Sequence, residues 1–145
     1  MAQSVSQWTA SSLLEALNSA AGLSEEMEFV AAPEAQDVFE VHMKSIGDVV
    51  LFVVVSTAQI TTTTVLWDRD ELEDPEAFEA LMLRSHRTLM PLSALSIEKI
   101  GDREYHELFG TMSSTSPISE IVEEFKVIAE NAIELARELG PKASA

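Results

Sequence analysis

Apolar residues recur with a helical period in three stretches of this chain and with a strand period in the rest, and the changes of period mark out its elements. Thr9 is a candidate helix N-cap, preceded by Trp8 at staple spacing from Leu13. Leu13, Leu17, Ala20 and Ala21 then repeat on one helical face, and Gly22 offers a left-handed stop. Residues 27–32 read as a short strand. In residues 38–44, Val38, Glu40, His42 and Lys44 alternate with Phe39, Val41 and Met43. Gly47-Asp48 makes a hairpin turn into the unbroken run Val49-Val50-Leu51-Phe52-Val53-Val54-Val55. Such a run is expected of a central strand covered on both faces, so a second layer is expected over it. Residues 60–67, with four consecutive threonines, form a further strand.

Asp74-Pro75 starts the second helix: the aspartate caps free N–H groups, and proline suits the first helical position. Phe78, Leu81, Met82, Ser85 and Leu89 form its expected inner stripe, and Pro91 stops it. A second hairpin, 93–100 with 104–112, turns at Gly101-Asp102. Ser116-Pro117 opens the last helix, which Gly140-Pro141 ends. Ile118, Ile121, Val122, Phe125, Ile128, Ala129, Ala132, Ile133, Ala136 and Leu139 share one broad face of it. Glu120, Glu123, Glu124, Glu130, Glu134 and Glu138 are expected to project elsewhere, Leu135 to sit at the edge, and Val127 to lie opposite the apolar face. The predicted order is α-β-β-β-(β)-α-β-β-α. It describes an α+β domain with an antiparallel sheet of five to six strands and three helices in residues 1–140, followed by a flexible tail, 141–145.

Composition changes this picture in two ways. A hydrophobic content of 46% supports a folded core despite a formal charge of −16. Acidity of that size argues against nucleic acid as a partner and for association with basic partners. The chain has no cysteine, which excludes disulfides and thiolate chemistry. Residues 1–8 carry no basic residue and lead into no long apolar run, so no signal peptide is expected. The longest apolar stretch, 49–55, is far too short for a membrane span of ~20 residues, and a cytoplasmic location is expected.

Chemistry is sparse. His42, His86 and His106 lack the spacing of a metal motif, and the acidic segment 68–74 lacks the glycine of an EF-hand loop. No catalytic residue, cofactor site or metal site is therefore expected. The acidic segment complements the positive end of the second helix, and Arg84, His86 and Arg87 its negative end. Asp68, Asp70, Glu71, Glu73, Arg84, Arg87 and Val127 are the candidate partner-binding residues. Apolar surface on the 49–55 strand predicts self-association, most simply a homodimer. A pocket lined by His42, His106 and Tyr105 would instead favour a small-molecule-binding domain or an enzyme using the open sheet face.

The order of elements over residues 8–139 resembles the type III secretion chaperone-like fold. That resemblance implies a small, acidic, cytoplasmic, usually homodimeric protein that binds other polypeptides without catalysis. The additional β segment 60–67 departs from it. A narrower resemblance is to the YjfI-type family of uncharacterised bacterial proteins. It is carried by Val49-Val50-Leu51-Phe52-Val53, by Leu66-Trp67 ahead of Asp74-Pro75-Glu76, and by residues 81–89 running into Met90-Pro91-Leu92. Members are typically encoded beside proteins similar to phage shock protein A, a coiled-coil membrane-stress effector. The resemblance implies a partner or regulator of such a protein and supplies no catalytic residue.

Overall fold

The computed structural model describes residues 6–32 and 34–142. Residues 1–5 of the N-terminal segment and 143–145 of the expected tail lie outside the described residues. Six strands form one antiparallel sheet: β1 (Glu28–Ala31), β2 (Val38–Met43), β3 (Val49–Val55), β4 (Gln59–Asp68), β5 (Ala94–Ile100) and β6 (Arg103–Ser113). Their spatial order is β1-β2-β3-β4-β6-β5. The helices are α1 (Ala10–Ser19), α2 (Pro75–Leu89) and α3 (Ile118–Leu139). The element order, three helices and a six-stranded sheet, is the one expected, and the 60–67 segment is a full central strand.

Local chemistry fixes the ends of these elements. Thr9 caps α1 by accepting the Ser12 amide while the Ser12 hydroxyl accepts the Thr9 amide. Asp74 accepts the Ala77 amide at 3.0 Å, with Pro75 in the first turn of α2. The β2–β3 turn needs positive φ at Gly47 (60°) and Asp48 (55°). A Cβ at Gly47 would also lie 2.6 Å from Ile133 Cδ1, so the end of that side chain would have to shift. At α3 the cap is Pro117, not Ser116. Ser116 is buried, and its carbonyl accepts the Trp8 indole N–H at 2.7 Å, while the Trp8 amide donates to Ser114 O. The segment before α1 is thereby tied to the entry of α3.

All three helices lie on one face of the sheet. α1 rests on β1 and β2, α2 beside β5, and α3 across β3, β4 and β6. Phe39, Val41 and Met43 of β2, Leu51, Val53 and Val55 of β3, Ile60, Thr62, Thr64 and Trp67 of β4, and His106, Leu108 and Gly110 of β6 are buried beneath them. Leu13, Leu17, Met82, Ile121, Phe125 and Ile128 close the core from the helical side. Each such side chain contributes about 1.5–3 kcal/mol through burial.

Four expectations are corrected. β3 is covered on one face only: its exposure alternates, with Phe52 and Val54 each 38% exposed. Its uniform β-branched character reflects strand propensity and an apolar open face, not a second layer. In α2 only Phe78 and Met82 are buried, whereas Leu81 and Leu89 are exposed, because the helix meets the sheet at its β5 border and needs only a narrow stripe. On α3, Leu135 and Glu124 are buried, Ala136 is exposed, and Val127 is half-buried rather than facing away from the protein. Asp68 is buried rather than part of a free acidic surface.

Candidate functional site

Register places a continuous surface on the face that no helix covers. One cross-strand row runs Val30, Glu40, Phe52, Thr63, Phe109, Ala94 through all six strands. A second runs Val38, Val54, Thr61, Thr111. The alternation of the sheet makes these side chains neighbours across strands about 4.8 Å apart. The centre is apolar, with Phe52, Val54 and Val65 exposed and Val38, Val50 and Phe109 half-buried. Its ionisable groups include the carboxylates of Glu40 and Glu107, which lie opposite Phe52 and Val65. Burial pushes the Glu107 carboxyl up, partly offset by the Ser96 hydroxyl that donates to it at 2.9 Å.

The face is not flat. The β3–β4 ladder ends at Phe52 opposite Thr63, and Val49, Val50 and Leu51 have no partner in β4. The Thr64 hydroxyl instead donates to Val50 O at 3.0 Å. A cavity of ≈ 350 Å³ opens there, lined by Val50, Phe52 and Val65 of the sheet and by Ala132, Ile133 and Ala136 of α3. It is an apolar recess in the middle of an apolar surface.

A second polar feature is buried. The Trp67 indole N–H donates to His106 Nδ1 at 2.8 Å, and His106 Nε2 lies 2.6 Å from Glu79 Oε2. Arg69 clamps Glu79 with two bonds, at 2.5 and 2.9 Å, and reaches Glu104 at 3.5 Å. An indole can only donate, so Nδ1 carries the lone pair and the ring proton sits on Nε2. Arg69, with His106 behind it, holds the Glu79 carboxyl below the usual carboxylate range. His106 is fully buried against Phe78 and Trp67. The set joins α2 to β4 and β6.

A third feature lies where α2 ends and β5 begins. Glu124 of α3 is 7% exposed, and its Oε1 has no hydrogen-bond partner among the described residues. Burial pushes its carboxyl up. It occupies the place of a side chain at Gly110, whose Cβ would lie 1.7 Å from that oxygen. His86 Nδ1, buried and also without a partner, belongs to the same cavity of ≈ 520 Å³.

The candidate partner residues do not converge on one place. Asp68 is paired with Arg103 at 2.8 Å, and that guanidinium holds its carboxyl below the usual range. Asp70, Glu71 and Glu73 are exposed just before α2, and Arg84 and Arg87 are exposed in its later turns. These two groups are separated by most of a 15-residue helix. Val127 stands apart on α3. His42 lies on the open face and His106 on the covered one, with β3 and β4 between their strands, so the pocket expected from His42, His106 and Tyr105 does not form. Among the described residues no three His, Asp or Glu side chains cluster as metal ligands, and no helix is long and apolar enough to cross a membrane.

Sequence reasoning missed Glu124, the Gly110 vacancy and the cavity in the sheet. Glu124 follows Ile121 by three residues and precedes Ile128 by four, which puts it on the buried stripe of α3.

Comparison with known proteins agrees with this architecture. The chain is 27% identical to the uncharacterised protein YjfI of Escherichia coli K12 over 96 residues, 66% of this chain and 71% of that one. Its fold is similar to that of YbjN from E. coli, with a TM-score of 0.66 and 13% identity over 92% of this chain and 95% of the other. It is also similar to the fold of a chain in the ExsC–ExsE complex, with a TM-score of 0.50 and 16% identity over 83% of this chain and 80% of the other. Residues 7–141 match the model of an uncharacterised protein conserved in bacteria, DUF2170, and the chain belongs to that family.

Proposed function

We propose that this protein is a non-catalytic, chaperone-like or regulatory module that binds another polypeptide on the open face of its sheet. The observation that carries the reading is the apolar surface of Phe52, Val54 and Val65 around a recess of ≈ 350 Å³. A recess of this kind takes one large apolar side chain, the usual anchor of a protein interface. Glu40 and Glu107 flank it, so the partner segment is one with basic residues beside its apolar anchor. Likeness to a chain of the ExsC–ExsE complex supports polypeptide binding, and YbjN has been put forward as a transcription regulator.

The partner suggested by the family resemblance is a phage shock protein A-like coiled-coil effector in the bacterial cytoplasm. A second copy of this chain is the other occupant to weigh. A homodimer through this face would cover the same apolar surface, yet would bring Glu40 and Glu107 of both copies together.

Binding of a purified phage shock protein A-like protein from the bacterium that encodes this chain tests the reading. Phe52→Asp and Val65→Asp should each weaken binding roughly tenfold or more, as loss of a buried apolar anchor does, in chains that circular dichroism shows to be folded. Unaltered binding in both variants, or none by the native chain, counts against the proposal. Light scattering on the same samples separates the occupants: a dimer that Phe52→Asp dissociates assigns the face to self-association.

A further inference from the structure

We propose that the cavity between the end of α2 and the start of β5 is a cation pocket, in which Glu124 receives the ammonium or guanidinium head of a lysine or arginine from the bound polypeptide. The polypeptide origin of that head rests on the reading of the open face given above; the cation specificity does not.

Glu124 is over nine-tenths buried, and one of its oxygens has no partner within the described protein. A buried carboxylate without a partner is costly, and burial pushes this carboxyl up. A cation that enters the cavity supplies the missing partner and converts the group into half of a charge-assisted pair. The space exists because Gly110 has no side chain, and any Cβ there would collide with Glu124. His86 Nδ1, the other unpartnered buried atom of this cavity, is a second acceptor when unprotonated.

Placement links the cavity to the open face. Ala94 and Phe109 line it, and both belong to the row that contains Phe52. Phe109 stands two strands from Phe52, about 10 Å away. A helical segment covers that distance in about two turns, so one segment can reach from the central recess to the margin where β5 pairing stops at Ala94. A long basic side chain can there pass beside Gly110 toward Glu124 on the covered side. Met90 and Leu92 supply apolar walls for the methylene stem of such a side chain. Arg87, exposed on α2, is the like charge that borders the cavity.

The test is a titration of the isotope-labelled full chain, without any partner, by n-butylammonium, n-butylguanidinium and butyrate. Both cations should give saturable shifts at the Ala94, Gly110 and Thr111 amides, and butyrate should not. In Glu124→Gln the cation affinity should fall roughly tenfold or more, the worth of a charge-assisted bond. In Arg87→Gln it should rise, because a repelling charge is gone. Arg87→Gln lies on an exposed surface, so it keeps the test decisive if the Glu124 variant folds poorly. Butyrate binding in place of the cations, cation binding that Glu124→Gln leaves unchanged, or no saturable shift with either cation overturns the pocket. Cation binding here combined with failure of the Phe52→Asp experiment would remove only the polypeptide origin of the head.

Discussion

Glu79, on the second turn of α2, accepts the His106 ring proton from β6 at 2.6 Å, so a carboxylate from a helix and an imidazole from the sheet share one buried bond. Each is held in place from behind, Glu79 by Arg69 and His106 by Trp67. Truncation of either leaves a buried polar group without its partner. Glu79→Ala is expected to destabilise the fold by about 3–5 kcal/mol, as does breaking a buried charge pair from one side. His106→Ala should lie in the same range, through the cavity it leaves and the orphaned indole N–H. Urea unfolding followed by tryptophan fluorescence measures both; a loss under 1 kcal/mol in each would show the network to be dispensable.

Two carboxyls impose opposite pH dependences. Burial raises Glu124, so the folded chain keeps a proton that the unfolded chain releases near its ordinary value of about 4.3. Its stabilising contribution is complete below that unfolded value and is lost as pH climbs through the raised folded one. Glu79 is lowered, by Arg69 first, so its contribution is complete above the unfolded value and is lost as pH falls through the lowered one. Glu124→Gln should therefore match the native chain in acid and exceed it in stability at neutral pH. Glu79→Gln should be weaker at neutral pH and converge with the native chain in acid. Urea midpoints measured across the acid-to-neutral range decide it, and parallel curves for all three chains would refute it.

Gly110 and Glu124 are coupled by space. Gly110→Ala puts a Cβ 1.7 Å from Glu124 Oε1 and 3.0 Å from Leu92 O, and an overpacked core of this kind loses about 1–3 kcal/mol. Glu124→Ala in the same chain should recover most of that loss. A double-mutant cycle reads the coupling directly, and additive effects would place the clash elsewhere.

The exposed acids before α2 are expected to steer partners rather than grip them. Asp70→Asn, Glu71→Gln and Glu73→Gln together should slow association and flatten its salt dependence, with the fold unchanged. Asp68 is left in place because it is committed to Arg103. The same treatment of Glu123, Glu130 and Glu134 examines the exposed side of α3. Association rates indifferent to both sets and to salt would reduce the acidity to a solubilising coat.

Much of this was readable in the chain because it is local. Asp74-Pro75, Gly47-Asp48 and Gly101-Asp102 dictate a cap and two turns through their own backbone preferences, and the strands and helices begin and end around them. The parity of β6 also carried more than was taken from it: His106 shares its face with the apolar Leu108, which marks the histidine as buried. The coverage of β3 was not legible, since valines of an open face and valines of a covered face look alike until the helices are placed. Glu124 was misplaced because its charge outweighed its spacing from Ile121 and Ile128. The site it creates needs a strand and a helix from distant parts of the chain, and no short window contains both.

The ladder between β4 and β6 has the largest number of paired positions in the sheet, and it joins residues 37 to 54 positions apart in the chain. β2 with β3, β3 with β4, and β5 with β6 are neighbours in sequence, and each closes through a short turn. Assembly therefore has two tempos. The N-terminal meander and the C-terminal hairpin form from contacts a few residues apart, while their union must close a loop that contains all of α2. α3, last in the chain, then lies across that junction on β3, β4 and β6. On a ribosome the junction lacks its cover until residues 118–139 have been released, so the half-sheet that ends at β4 is the part of this protein most in need of protection while it is being made.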